Sequence, residues 1–308
     1  MDCEKIKILI DTDPGYDDAA AIIAAAFSSK LDLLGLTTVF GNTSLDIVNR
    51  NAASMIEYFN LDISYAFGEK EPLNGKNTAT EVSEKDVFGL PECETKEDKR
   101  GAVEFLKDKL EGESGLVTLV TLGPLTNISK LLKTHPGCKK KIEKIIMMGG
   151  ALNTGNITSA AEFNIYCDPE AAKDVFGSGI EIVMAGLDVT RETRLYGHDL
   201  EKLSGFGDKQ RKLVEIIKDC SAKYSLKPEK GIPVHDVCTI MYLLEPEIFG
   251  TEKYNVDVET RGEITRGMTL ADRRPFSNLE KNTTVLTKIN IEKFKEVFFG
   301  IMAEIQRF

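Results

Sequence analysis

The sequence predicts an α/β fold: a doubly wound, mostly parallel sheet with helices on both faces and a helical cap, all in one domain over residues 1–308. Three observations carry this. From the start of the chain to about residue 187, strand-like apolar runs alternate with helical patterns five or six times, as in right-handed strand–helix–strand units. A loop crowded with carboxylates follows the first strand, and such sheets bind ligands at the carboxyl ends of their strands. From about 196 to 230 the pattern changes to helices alone, read as a cap on the sheet, with an ordinary pair of packing helices as the alternative.

Each element has a local reason. Residues 8–10 are a buried apolar strand, and residues 19–27 (AAAIIAAAF) are the helix after it. Residues 31–40 form a second strand, closed by the turn Gly41-Asn42-Thr43, and residues 45–59 carry a helical period. Residues 63–67 are a short strand. Residues 68–100 have no clear period and read as a long loop, which in a compact domain is more often a lid than a spacer. A helix over 102–110 leads to a strand over 116–122 (LVTLVTL), which Gly123-Pro124 stops. A helix over 125–133 and a strand over 144–148 follow, the latter ending at Gly149-Gly150. Asp168-Pro169 opens a helix with Asp as cap and Pro at its first position, and residues 180–187 make one more strand. Beyond the helix over 209–224, His235-Asp236 opens a helix over 237–244. Residues 254–259 and 283–289 are late strands, and residues 290–307 close the chain as an amphipathic helix.

Composition narrows the function. At 42% hydrophobic and 29% charged the chain is an ordinary globular protein, long enough to bury a large core. A net charge of −10 and the lack of a basic stripe exclude nucleic acid as the main partner, and a small polar substrate fits better. The short basic runs at 138–141 and 227–230 are solvated helix ends. No apolar run approaches the roughly 18 to 20 residues that span a bilayer, and no signal segment is read at the N-terminus, so a cytoplasmic setting is expected. Cys3, Cys93, Cys138, Cys167, Cys220 and Cys238 form no CxxC pair and read as free thiols. In that setting the sequon at Asn127 carries no meaning.

The chemistry centres on ILIDTDPGYDD at 8–18, which places Asp11, Asp13, Asp17 and Asp18 within eight positions. Crowded carboxylates raise one another's pKa, and a bound divalent ion keeps them ionised. All-oxygen ligands select a hard ion, Ca²⁺ or Mg²⁺, over zinc. The competing reading is a solvated turn in which Asp17 or Asp18 caps the next helix; it uses one or two carboxylates and leaves the others unexplained. The loop MGGALNTGNITSAAEFN at 148–164 lacks a Walker lysine and the strand–GxGxxG–helix order. Its alternating amides and carboxylates suit sugar hydroxyls, each of which donates and accepts. Asn42 alone reads as a turn former, and His235 beside Asp236 reads as a joint polar site or a structural pair.

Together, DTDPGYDD at 11–18, GN at 41–42, TLGPLTN at 121–127, MMGGALNTGN with AEFN and DPEA between 147 and 171, and PVHD at 233–236 resemble the inosine-uridine-preferring nucleoside hydrolase family over nearly the whole chain. That resemblance implies a calcium-dependent N-glycosidase, a homodimer or homotetramer, that cleaves ribonucleosides to ribose and a free base. It implies Asp13, Asp18, Asp236 and the carbonyl of Leu122 as calcium ligands, and Asp13 as general base toward the calcium-bound water. It further implies Asp17, Asn42, Asn164 and Asp236 on the 2′- and 3′-hydroxyls, and Asn156 and Glu162 on the 5′-hydroxyl. Met148 and Phe163 border the sugar, and His235, counted as catalytic, sits over the base. Asp11 matches a variable family position and is structural. The physical account agrees, because an oxocarbenium-like ribosyl cation gains more than the neutral substrate from a ring of carboxylates.

The chain departs from the family where the base is handled. Many members carry a histidine after the third strand, but residues 81–92 contain none, and the chain has no tryptophan for stacking. Before PVHD stand Lys223, Tyr224 and Lys227; Tyr224 and Lys227 are candidate acids for the leaving base, with solvated helix ends as the alternative. Two rival functions remain. A non-catalytic calcium or ribose binder would use the same ligands. Asp11-Thr12-Asp13 superficially resembles haloacid-dehalogenase-type phosphatases, although Pro14-Gly15 spoils that match.

Overall fold

The computed structural model describes residues 5–75, 88–91, 93, 94 and 96–305. β1 (Ile6–Thr12) is followed by α1 (Tyr16–Phe27), in which only Asp17 and Ala26 escape full burial, so this helix, apolar almost all round, lies in the interior. β2 (Leu31–Thr38), α2 (Leu45–Phe59) and the two-residue β3 (Tyr65–Ala66) come next. α3 (Ala102–Gly112), β4 (Val117–Thr121), α4 (Thr126–Thr134) and β5 (Ile142–Met148) continue the alternation. The short α5 (Phe163–Cys167) precedes α6 (Pro169–Phe176), where the Asp168 carboxylate accepts from the Ala171 N–H as the sequence predicts. After β6 (Ile182–Ala185) stand α7 (Leu187–Thr190), β7 (Arg194–Leu195), α8 (Gly197–Ser204), α9 (Asp208–Lys223), β8 (Ile232–Pro233) and α10 (Val237–Leu244). β9 (Phe249–Tyr254), β10 (Val256–Val258), β11 (Thr269–Ala271), β12 (Thr283–Ile289) and α11 (Ile291–Glu304) end the fold.

Eight strands form one sheet in the order β3-β2-β1-β4-β5-β6-β12-β9, parallel except for the edge pair β12–β9. Along β1 the side chains alternate between two cores. Ile8 and Ile10 pack with residues of α1, α9, α10 and α11, while Leu9 packs with α3, α4 and α6 on the other face. The connections leave β1 toward β2 on one side and return to it as β4 on the other. This opens a crevice at the carboxyl ends of β1 and β4, the switch point where doubly wound sheets bind ligands.

The structure differs from the sequence reading at several element ends. The strand read over 254–259 is two strands in different sheets: Asn255 breaks it, β9 pairs with β12, and β10 pairs with β11, a strand the sequence does not announce. The strand read to 187 stops at Ala185, because Gly186 turns the chain into α7. The helical stretch after 196 is bracketed by the β7–β8 pair. Most of the histidine-free stretch 81–92, together with Cys3 and the last residues of the closing helix, lies outside the described residues. Cys138, Cys167, Cys220 and Cys238 are buried free thiols, and Cys93 is partly exposed. Asn127, fully buried, is bonded to Asp11 and to the Thr38 carbonyl. No helix among the described residues is long and apolar enough to cross a membrane.

Candidate active site

The end of β1 turns sharply through Pro14-Gly15, and the turn is tied by its own carboxylates. Thr12 Oγ1 donates to Asp18 Oδ1 at 2.5 Å, and the Gly15 N–H donates to Asp18 Oδ2 at 2.9 Å. Gly15, not an aspartate, is therefore the cap residue of α1, and Asp18 bonds back to it from the first turn. Asp13 is pressed between two other loops. A Cβ on Gly41 would lie 1.9 Å from its Oδ2, and one on Gly123 would lie 2.6 Å from its Oδ1, so only glycine fits at either place. The Asn42 N–H donates to Asp13 Oδ2 at 2.7 Å, while Asp13 Oδ1 is buried with no hydrogen-bond partner among the described residues.

Asp236, just before α10, brings a further carboxylate. Asp17, Asp18 and Asp236 each present an oxygen within 4.8 Å of the other two. Burial is the largest cause holding Asp13 and Asp236 well above the usual carboxylate range. The charges of Asp18 and Asp17 add to it, and Asp18 itself is raised, again chiefly by burial. Asp13, Asp18 and Asp236 are thus buried acids whose charged forms are disfavoured, and Asp13 Oδ1 has no compensating hydrogen bond among the described residues. The donors are oxygen only, with the buried Leu122 carbonyl at the crevice, so the residues fit a hard divalent ion. The triad makes Asp17 part of the acidic cluster as well as a residue expected at the sugar.

A cavity of about 610 Å³ opens above this cluster. Asp17, Asp18, Asn42, Leu122, Met148, Asn156, Glu162, Phe163, Asn164, His235 and Asp236 all line it, and Asp13 lies buried beneath. The polar wall is preset. Both amide hydrogens of Asn164 are committed, to Leu122 O at 2.7 Å and Met148 O at 3.1 Å, which leaves its Oδ1 to offer. Glu162 caps α5. Its Oε1 accepts from Asn164 N at 3.0 Å, and its Oε2 accepts from Gly150 N at 2.9 Å and Ile165 N at 3.3 Å. Burial raises its pKa, and these N–H donors oppose the shift. Asn156 Oδ1 accepts from Phe163 N at 2.9 Å, and Asn42 Nδ2 donates to Asp13 O at 3.0 Å.

His235 is the one of the three histidines that reaches the cavity; His135 sits beside Glu104, and His198 is exposed against Tyr196. Its Nδ1 lies 2.8 Å from Thr190 Oγ1. Burial, then the charges of Arg194 and Arg191, lower its pKa to about 4, so the ring is neutral near pH 7. Tyr224, Leu226 and Pro233 complete this side, with Ile157 and Tyr16 elsewhere on the wall. Of the three residues noted before PVHD, Tyr224 lines the cavity, whereas Lys223 and Lys227 are exposed outside it. Sequence reasoning missed Ile157, Leu226, Pro233 and Tyr16. Tyr16, Ile157 and Pro233 lie inside stretches already singled out, the acidic loop, the loop over 148–164 and PVHD, whereas Leu226 carried no signal. Asp11 sits under the site, accepting from Thr37 Oγ1 at 2.5 Å and Asn127 Nδ2 at 2.7 Å; burial raises its pKa to about 7.

Comparison with known proteins gives a consistent picture. The family described as inosine-uridine preferring nucleoside hydrolase matches residues 8–296. The pyrimidine-specific ribonucleoside hydrolase RihA of Salmonella schwarzengrund is 39% identical over 312 residues, covering 98% of this chain and 99% of that protein. RihA of Escherichia coli O7:K1 is 40% identical over 313 residues, with 98% and 99% covered. Among solved structures, the plant nucleoside hydrolase PpNRh1 gives a TM-score of 0.88 at 29% identity, covering 97% of this chain and 99% of that one. The purine-preferring ribonucleoside hydrolase from Gardnerella vaginalis also gives 0.88, at 28% identity, with 97% and 98% covered.

Proposed function

We propose, from the premise that the chain belongs to the inosine-uridine preferring nucleoside hydrolase family, that its cavity holds a ribonucleoside with the pentose over the aspartate cluster and that Asp13 is the general base. The chain is a hydrolase of N-glycosyl bonds. The observation that carries the finer reading is Asp13 Oδ1, buried with no hydrogen-bond partner among the described residues and within reach of the charges of Asp18 and Asp17, under a cavity of nucleoside size.

Asp13, Asp18, Asp236 and the Leu122 carbonyl would hold calcium, with Asp17 adjoining. When bound, calcium offsets the mutual repulsion of the acids and makes water a better proton donor. Asp13 takes a proton from water at Oδ1, the oxygen that has no hydrogen-bond partner among the described residues. The water oxygen bonds to C1′ as the C1′–N bond breaks, the electron pair leaves on the base, and a proton follows it there. Positive charge develops on the sugar, and the surrounding carboxylates stabilise it more than they stabilise the neutral substrate. Asp17, Asn42, Asn164 and Asp236 hold the 2′- and 3′-hydroxyls, and Asn156 and Glu162 hold the 5′-hydroxyl. Glu162 has spent three acceptor sites on backbone N–H groups, so it meets a hydroxyl as a fixed carboxylate with capacity left. Neutral His235 faces the base as a hydrogen-bonding group.

The preferred substrates are pyrimidine ribonucleosides. Two RihA relatives near 40% identity are pyrimidine-specific by name, and the base side offers Tyr224 with small apolar neighbours and no tryptophan to stack a purine. The expected setting is the cytoplasm, as a homodimer or homotetramer. A reducing-sugar assay on uridine, cytidine, inosine, adenosine and guanosine, with and without chelator, tests the reading. Ribose release that is fastest for the pyrimidines, lost with chelator and restored by calcium is expected. No release from any member would leave a non-catalytic binder, and phosphate release from sugar phosphates would favour the phosphatase.

A further inference from the structure

The loop that carries Asn156 is fastened at each successive residue from 150 to 155. The Gly150 N–H donates to Glu162 Oε2 at 2.9 Å. Thr269 Oγ1 accepts from Ala151 N at 2.9 Å and donates to Ala151 O at 2.7 Å. Asp188 accepts from Leu152 N and from Asn153 Nδ2, each at 2.6 Å. Arg191 supplies the last two bonds, from Nη1 to Thr154 Oγ1 at 2.8 Å and from Nη2 to Gly155 O at 2.6 Å. Asn156 is the next residue. The loop has little room to relax, because a Cβ on Gly155 would lie 2.0 Å from Ala161 O, and the Asn156 N–H is itself bonded to that carbonyl at 3.1 Å.

Thr190, the residue before Arg191, is fully buried and bonds His235 through Nδ1, which leaves Nε2 as the ring's other hydrogen-bonding atom. Two adjacent residues at the end of α7 thus hold two separate parts of the cavity wall, and neither lines the cavity. We propose that Arg191 and Thr190 are positioning residues: Arg191 sets the Asn156 amide for the substrate's 5′-hydroxyl, and Thr190 sets the His235 ring for the departing base. The inference rests on the nucleoside hydrolase reading and adds to it a device that keeps these two contacts in fixed relation. The planar guanidinium suits the task, since it satisfies a hydroxyl and a carbonyl at once from two N–H directions, which an ammonium on a flexible stem does less well.

Kinetics on paired substrates test it. Arg191→Gln should lower kcat/KM for uridine by about 10- to 100-fold, the effect of losing one or two aligned hydrogen bonds. It should change kcat/KM for 5′-deoxyuridine by less than about 3-fold, because that substrate has no 5′-hydroxyl to place. Arg191→Lys should fall between wild type and Arg191→Gln on uridine alone, and it serves if the glutamine variant melts early. Thr190→Val should slow uridine while sparing p-nitrophenyl riboside, whose leaving group departs without help from the protein. Equal losses on both members of either pair, in variants that melt like wild type, would overturn the proposal by making the turn merely structural. Failure of the wild-type chain to release ribose would instead overturn the underlying reading, and the proposal with it.

Discussion

Replacing Asp13 by asparagine isolates the atom on which the chemistry depends. Asp13 Oδ2 accepts the Asn42 N–H at 2.7 Å, so the new side chain should turn its carbonyl to that donor and keep the local fold. Its amide nitrogen then stands where the unpartnered Oδ1 was, directing N–H groups at the place where water and cation are needed. Loss of a general base is worth about 10²–10⁴ in kcat. Removing one charge from the cage should weaken calcium binding by on the order of 10²-fold, a few kcal/mol in a partly buried site. Stability should move the opposite way. Burial and the charges of Asp18 and Asp17 raise the Asp13 pKa in the folded chain, so ionising it near neutral pH costs folding free energy that asparagine does not. The variant in chelator should therefore melt above the wild type in chelator, by about 2 °C for each kcal/mol recovered. Reducing-sugar kinetics at saturating calcium, calcium titration calorimetry and melting curves in chelator read the three effects. Turnover within 10-fold of wild type, or a lower melting temperature in chelator, would refute the reasoning.

Three other outcomes follow from the same geometry. Gly41→Ala places a Cβ 1.9 Å from Asp13 Oδ2 and should abolish turnover and weaken calcium binding, whereas Gly112→Ala, with nothing within 4 Å, should leave kinetics unchanged; both are read by the same assays. The folded pKa values of Asp13, Asp18 and Asp236 are raised, so their contribution to stability is fully present below about pH 4 and is lost as pH rises through the folded values. The melting temperature in chelator should fall as pH rises above about 4, and calcium at about 100 times its Kd should restore about 2.7 kcal/mol near neutral pH, as differential scanning fluorimetry would show. Finally, 2′-deoxyuridine should be cleaved with kcat/KM lower by roughly 10⁴-fold, because it leaves buried polar groups unpaired; competition kinetics against uridine measures the ratio.

Much of the site could be read from the chain because its acids are gathered locally. Asp11, Asp13, Asp17 and Asp18 share one turn, and a strand followed by such a turn points to a ligand before any tertiary contact is known. Asp236 is over two hundred residues away, and only the PVHD motif and the resemblance joined it to them. What stayed hidden depends on packing. β9 is an edge strand, exposed over most of its length, and its antiparallel pairing with β12 is decided by a surface that no local period encodes. Leu226 looks like any apolar loop residue until the cavity forms beside it. Thr190 and Arg191 lie on a helical turn too short to show periodicity, and their roles are visible only as bonds to distant chain segments.

The unequal fastening of the two cavity walls separates what can drift from what must stay. Residues 150–155 are pinned at each step to Glu162, Thr269, Asp188 and Arg191, so most exchanges there would also shift the neighbouring Asn156. Tyr224 and Leu226, by contrast, stand just past the end of α9, on a different segment from the loops that carry Asp13, Asp17 and Asp18. On the proposed reading, heterocycle choice and bond cleavage draw on different segments of the polypeptide. Randomising 224 and 226 alone, with the PVHD segment untouched, is the direct laboratory route to asking whether nucleobase selectivity can be moved separately from turnover.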